Sequence, residues 1–222
     1  MKIFIALICV AASCLAGDDK QTPELVPLKL ALPDSAWDTG CILSRPSPPL
    51  APFRAHDETM LVPKRLQNLA LNKTVTCGAL LPASGKLEQV VDADKEFGDE
   101  RVVVLGKGLQ WVQIDLGEMC EVFAVVIWHD HKEPRVCHDV IVQVAEDKDM
   151  LVDAKTLFNN DADNSAGLGV GSDLEYIDSA EGKLIDAKGA KARFIRCYSN
   201  GNGTNDLNHY IEIEVWGRKI KK

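Results

Sequence analysis

Six short runs rich in Val, Ile and aromatic residues recur along the last two thirds of the chain, and several of them alternate apolar with polar residues. Val112, Ile114 and Leu116 share one face of WVQIDL, as do Val140, Val142 and Val144 in DVIVQVA, and Ile211, Ile213 and Val215 in HYIEIEVWG. Period two is the period of an extended strand, so each run buries one face and needs an opposing layer to bury it against. The other runs are VVVL at 102–105, EVFAVVIW at 121–128 and ARFIRCYS at 192–199, and Gly, Asn and Asp clusters separate all six. A turn or two around Asp149 to Lys155 is the only helical suggestion. Many short strands with almost no helix predict an all-β sandwich or barrel.

The chain before these strands has a different character. Met1 and Lys2 precede the apolar run IFIALICVAASCLA, which ends in small residues and gives way to Gly17, Asp18, Asp19 and Lys20. That order predicts a secretory signal peptide over residues 1–16, too short to span a bilayer comfortably. Cleavage after Ala16 is one outcome. The other is lipidation of Cys14, because VAASC loosely resembles a bacterial lipobox with Ala11 in place of its usual Leu; an acyl chain there would tether the protein without a spanning helix. Eight of the ten prolines fall between Asp18 and Lys64, including PSPP at 46–49. Residues 17–66 therefore read as a Pro-rich linker or a strap lying over the domain surface. The domain itself is expected over 67–218, with a short basic tail at 219–222.

Charge narrows the partners. The 33 acidic residues outnumber the 25 basic ones, for a net charge of −8, and basic residues gather only in the tail. Phosphate binding runs on clustered Lys and Arg, so nucleic acid is excluded as a partner. Removing residues 1–16 leaves Cys41, Cys77, Cys120, Cys137 and Cys197, an odd set with no CxxC spacing. If 121–128 and 138–145 are neighbouring antiparallel strands, Cys120 and Cys137 lie too far apart to bond. Most of the cysteines are expected to be buried small hydrophobes.

Three stretches, in order, resemble the discoidin family, the coagulation factor five/eight type C domains within the galactose-binding-like jelly rolls. NLALNKTVT at 68–76 is similar to the family's opening strand. GLQWVQIDLGE at 108–118 with VFAVVIW at 122–128 resembles its central pair, and RFIRCYSNG at 193–201 with HYIEIEVWG at 209–217 its closing pair. The resemblance covers about residues 67–218 and implies a galactose-binding-domain-like jelly-roll β-sandwich, like those of secreted bacterial proteins. The loop VVDADKEFG at 90–98 departs from the family pattern, with Ala93 for Gly and no nearby Thr, and FNNDADNSAGLGVGSDLEY at 158–176 reads as an insertion.

By position, the resemblance makes Asp92, Asp94 and Glu212 candidate ligands of a structural calcium ion, which takes six to eight oxygens. The alternative is a solvated acidic loop. A second candidate is Asp161, Asp163 and Asn164, where acids alternate and nearby glycines permit tight backbone bends; a surface loop closed by Asx turns is the competing reading. In sugar-binding relatives, a His, an Arg and an Asn on loops at one end of the sandwich bond the hydroxyls. Here WHDHKEPR supplies His129, His131 and Arg135, and SNGNGTNDLNHY supplies Asn205, Asn208 and His209. Arg offers a rigid fork of donors and His one donor and one acceptor, which suits hydroxyl recognition. Trp128 is either the ring that packs on the sugar or part of the core. Two His in HDH are too few for a zinc site without further ligands.

No nucleophile elbow, His-Glu-x-x-His or P-loop is present, so no enzyme activity is expected. The expectation is an exported, non-catalytic module that recognises carbohydrate or a cell-surface glycan through loops at one end of the sandwich. The alternative is a cell-envelope structural or adhesion protein that binds a protein partner.

Overall fold

The structure is a computed structural model that describes residues 24–33, 60–132 and 135–220. The expected leader with Cys14, the PSPP stretch, Cys41 and the last two residues of the basic tail lie outside the described residues. Eleven strands are described: β1 (Leu25–Pro27), β2 (Leu61–Pro63), β3 (Gln67–Asn68), β4 (Thr74–Cys77), β5 (Val103–Lys107), β6 (Gln110–Trp128), β7 (Ile141–Ala145), β8 (Lys155–Asn159), β9 (Lys183–Ser199), β10 (Leu207–Tyr210) and β11 (Glu212–Lys219). One 3-10 turn at Leu87–Val91 is the only helical element among the described residues. No helix there is long and apolar enough to cross a membrane.

Two long antiparallel strands organise everything else. β6 and β9 pair from Gln110↔Ser199 to Ile127↔Lys183. The first half of β6 takes β4 on its other edge, and the last part of β9 takes β7, which pairs in turn with β8. The second half of β6 takes β11, which then pairs with β3. β6 and β9 thus belong to both leaves of a sandwich. The pairing slips between Asp115 and Cys120, where Gly117 adopts φ 87° and donates its N–H to Asp115 Oδ1. A left-handed residue costs a glycine little, and it lets one strand pass from leaf to leaf. The short pair β10 and β5 closes one end.

The alternating residues fill the space between the leaves. Val112, Ile114, Leu116, Val140, Val142, Val144, Ile213 and Val215 are all buried in one apolar cluster with Val125, Ile127 and Ile195. Three expectations need correction. Ile211 leaves the pattern, because it lies between β10 and β11 and packs instead with Trp128, Val126 and Val102. Residues 121–128 do not neighbour 138–145, since β9 runs between β6 and β7; Cys77, Cys120, Cys137 and Cys197 are nonetheless all free thiols. The helical suggestion at 149–155 is a turn, because the Asp147 carboxylate accepts the N–H groups of Asp149, Leu151 and Val152 before β8 begins.

Part of the Pro-rich stretch lies on the sandwich. β1 pairs with β2, Leu30 packs against the cluster around Trp128, and the ammonium of Lys95 donates to the carbonyl of Ala31 at 3.0 Å. Lys95 also forms a buried ion pair with Glu214 at 2.6 Å and sits 5.0 Å from the Trp128 ring.

Candidate functional site

The two polar loops expected to supply ligand contacts are stitched together at one end of the sandwich. His138 N–H donates to Gly201 O, Asn200 N–H to His138 O and Gly203 N–H to Val136 O, at 3.1, 2.9 and 2.8 Å. Arg135, on the first loop, therefore meets His209, the third residue of β10. Arg135 Nη1 is 3.1 Å from His209 Nδ1, Arg135 Nη2 is 3.3 Å from Asp130 Oδ2, and His209 Nδ1 is 3.5 Å from the same Asp130 oxygen. The side chains of Asp130 and His209 keep 13% and 12% of their surface in contact with solvent, enough for an edge to reach a ligand. Burial pushes Asp130 up, but the adjoining His209 ring and the charge of Arg135 outweigh this and hold the carboxyl below its ordinary range.

The other expected ligand residues serve the fold. Asn208 is buried and saturated: its Nδ2 donates to Gly106 O and Gly108 O, and its Oδ1 accepts from Ser199 Oγ and Gly201 N. His131 is buried with Nε2 2.9 Å from Lys95 O, bracing the loop that carries Asp92 and Asp94. Asn205 is exposed and closes its own turn by accepting the Leu207 N–H. His129 is buried against the Tyr210 ring, 4.9 Å between centroids. Trp128 belongs to the interior, its indole donating to Ala180 O at 2.9 Å; a Cβ on Gly182 would come within 2.6 Å of the ring, so no larger residue fits there.

At the first calcium candidate, Glu212 is fully buried and its Oε2 accepts the Ala93 N–H at 3.2 Å, while Oε1 has no hydrogen-bond partner. Burial raises its pKa to about 9, against the Ala93 bond, with the charges of Glu214 and Asp92 adding to the rise. Ala93 takes φ 71°, so it occupies the left-handed conformation that the family pattern gives to Gly. An orphaned buried carboxylate oxygen with Asp92 beside it fits a hard cation. Asp94 is turned elsewhere, accepting from Arg101 Nε at 2.7 Å.

At the second candidate, carboxylate oxygens of Asp161 and Asp163 lie within 4.8 Å of one another and of Asp139, a residue not anticipated. Asp161 accepts the N–H groups of Ser165 and Ala166, Asp163 accepts that of Ser165, and Asn164 Oδ1 accepts that of Gly169. Asx-type bonds thus close the loop from within, which is the competing reading of that stretch.

No family model and no curated protein matches the chain. Solved structures do. A variant of chitosan-binding module 1, from a chitosanase/glucanase of Paenibacillus sp. IK-5, superposes at TM-score 0.50 and 22% identity over 69% of this chain and 100% of that one. A family 89 glycoside hydrolase from Clostridium perfringens superposes at TM-score 0.50 and 17% identity, over 70% of this chain but only 16% of that one. The fold is a galactose-binding-like jelly-roll sandwich.

Proposed function

We propose that this chain is an exported, non-catalytic carbohydrate-binding module that contacts sugar through the joined loops 129–138 and 200–209. The observation that carries the reading is the Asp130–Arg135–His209 group, where a guanidinium, an imidazole and a carboxylate lie within 3.5 Å of one another at a loop junction. Together they offer donors and acceptors on a rigid frame, which is what a pattern of sugar hydroxyls requires. The Paenibacillus module supports it, being named for chitosan binding. Calcium would be held by Glu212, Asp92 and carbonyls of the 90–98 loop, with Asp94 joining only by releasing Arg101. Such an ion would fix the loop and take no part in chemistry.

The test is a glycan array followed by isothermal titration, each with and without calcium. Saturable binding to a saccharide is expected. A silent array in both conditions overturns the reading, and a stoichiometric protein recovered from cell envelopes beside a silent array would establish the adhesion alternative. Calcium is expected to raise the melting temperature of the wild type and to leave Glu212→Gln unmoved.

A further inference from the structure

His129, Cys137 and Asp178 come from three separate places: the residue after β6, the bridge to Asn202, and the segment that bridges Val136 to Ile177. Their relative exposures are 1%, 3% and 1%, and their ligand-type atoms all lie within 4.8 Å of one another. Neither ring nitrogen of His129 and neither carboxylate oxygen of Asp178 has a hydrogen-bond partner. Backbone N–H groups of His129 and Ser179 lie near the Asp178 carboxylate but outside hydrogen-bond geometry. Buried polar groups are nearly always satisfied, so such a convergence of unsatisfied ones calls for a group that satisfies them together.

We infer that His129, Cys137 and Asp178 form a structural zinc site that clamps the base of the loop bearing Asp130, His131 and Arg135. His129 Nδ1 lies 3.5 Å from Asp178 Oδ2. That is long for an N–H···O bond, yet it is the spacing of two ligands on one tetrahedral zinc, whose bonds of about 2.0–2.3 Å place ligand atoms about 3.3–3.8 Å apart. One nitrogen, one sulfur and one oxygen make a donor set that suits zinc and not calcium. A thiolate and a carboxylate carry two negative charges, which the ion cancels. The Arg135 charge is felt by both Asp178 and Cys137 but is shared with Asp130 at 3.3 Å, so it offsets the two anions only in part. The fourth position falls to a water, beside a Tyr176 hydroxyl that is also buried without a hydrogen-bond partner. The Asp178 N–H donates to Arg135 O at 2.8 Å and ties the segment carrying this ligand to the loop.

The same three residue types also form nucleophilic triads, but a nucleophile must be reachable. Cys137 is buried, out of reach of a substrate. The arrangement is therefore a fastening, with His129 and Cys137 gripping the two ends of a nine-residue loop.

The test uses the whole chain expressed in medium supplemented with zinc or cobalt and purified without chelator. One equivalent of zinc per chain is expected. The cobalt form should show a thiolate-to-metal charge-transfer band that Cys137→Ala loses and Cys197→Ala keeps, Cys197 being a second buried thiol outside the cluster. Chains without stoichiometric metal, or a band that survives Cys137→Ala, would overturn the inference. If Cys137→Ala does not fold, the wild-type cobalt spectrum decides alone, and the absence of a thiolate band overturns it.

Discussion

Arg135 Nη1 lies 3.1 Å from His209 Nδ1, and because a guanidinium only donates, the imidazole accepts at that nitrogen and carries its proton on Nε2. The same ring nitrogen lies 3.5 Å from Asp130 Oδ2. Arg135 thus joins the two loops through one fork, with Nη1 on His209 and Nη2 on Asp130 at 3.3 Å. Lysine can reach one of the two partners but has no fork to hold both. Arg135→Lys should weaken binding of the saccharide found on the array by about 10-fold or more, equivalent to about 1.4 kcal/mol. Titration calorimetry on a variant with an unchanged circular dichroism spectrum measures this, and unaltered affinity would remove Arg135 from the site.

Asn205 and Asn208 are three residues apart on one loop and should behave oppositely. Asn208 makes four hydrogen bonds from a buried position, tying the 106–108 turn to the end of β9. Truncating it strands those partners, so Asn208→Ala should cost roughly 2–4 kcal/mol in urea denaturation. Asn205 is exposed, and Asn205→Ala should change stability by no more than about 0.5 kcal/mol. Equal costs for the two would contradict this division.

How much could be read beforehand follows from the range of the interactions. Alternation is local, so Val112, Ile114 and Leu116, or Val140, Val142 and Val144, announce a buried face without any knowledge of the partner strand. Partners are not local: Gly117 looks like a break between two strands, yet it is the point where β6 changes leaf. Residue type pointed to Arg135 and His209, which the fold brings within 3.1 Å of each other. It pointed equally to Asn208, whose side chain is buried and fully bonded within the fold, because an asparagine that closes a loop and one that greets a ligand are spelled alike. Cys137 and Asp178 come together only through the Val136 to Ile177 bridge, and Lys95 meets Glu214 only across the sheet face, so no spacing in the chain revealed either pair.

Acid should find a weak point at Asp115. Its carboxylate takes a two-pronged bond from Arg193, with Nε to Oδ1 at 2.7 Å and Nη2 to Oδ2 at 2.8 Å, and it accepts the Gly117 N–H. The Arg193 bond, working against burial, lowers its pKa below the ordinary value of 3.8. A depressed carboxylate contributes stability above the unfolded pKa and loses it as pH falls through the folded one. Asp115→Asn should therefore lower the melting temperature at pH 7, and the gap to wild type should close as the pH falls below the ordinary 3.8 and through the depressed folded value. The pair is partly exposed, so the effect is modest and shrinks in salt. A gap that stays constant from pH 7 to pH 2 would show that Asp115 acts through packing rather than charge.

Lys95 joins the strap to the sandwich, and its removal should be costly in two separate ways. Its ammonium bonds Glu214 at 2.6 Å, with both side chains buried, and donates to Ala31 O in the strap. Glu214 in turn accepts the Trp216 indole N–H at 2.8 Å, so the carboxylate cannot leave when the lysine does. Lys95→Met keeps the volume but strands a buried charge, which costs about 3–5 kcal/mol where such pairs are broken from one side. Adding Glu214→Gln removes the charge while keeping an oxygen for Trp216, so the double variant should recover most of that loss. The strap carbonyl remains without its donor in both, and limited proteolysis near residue 31 should be faster than in wild type in both. Urea denaturation separates the two effects: a double variant no more stable than Lys95→Met would mean that the lysine matters as a tether for the strap and not as a counter-charge.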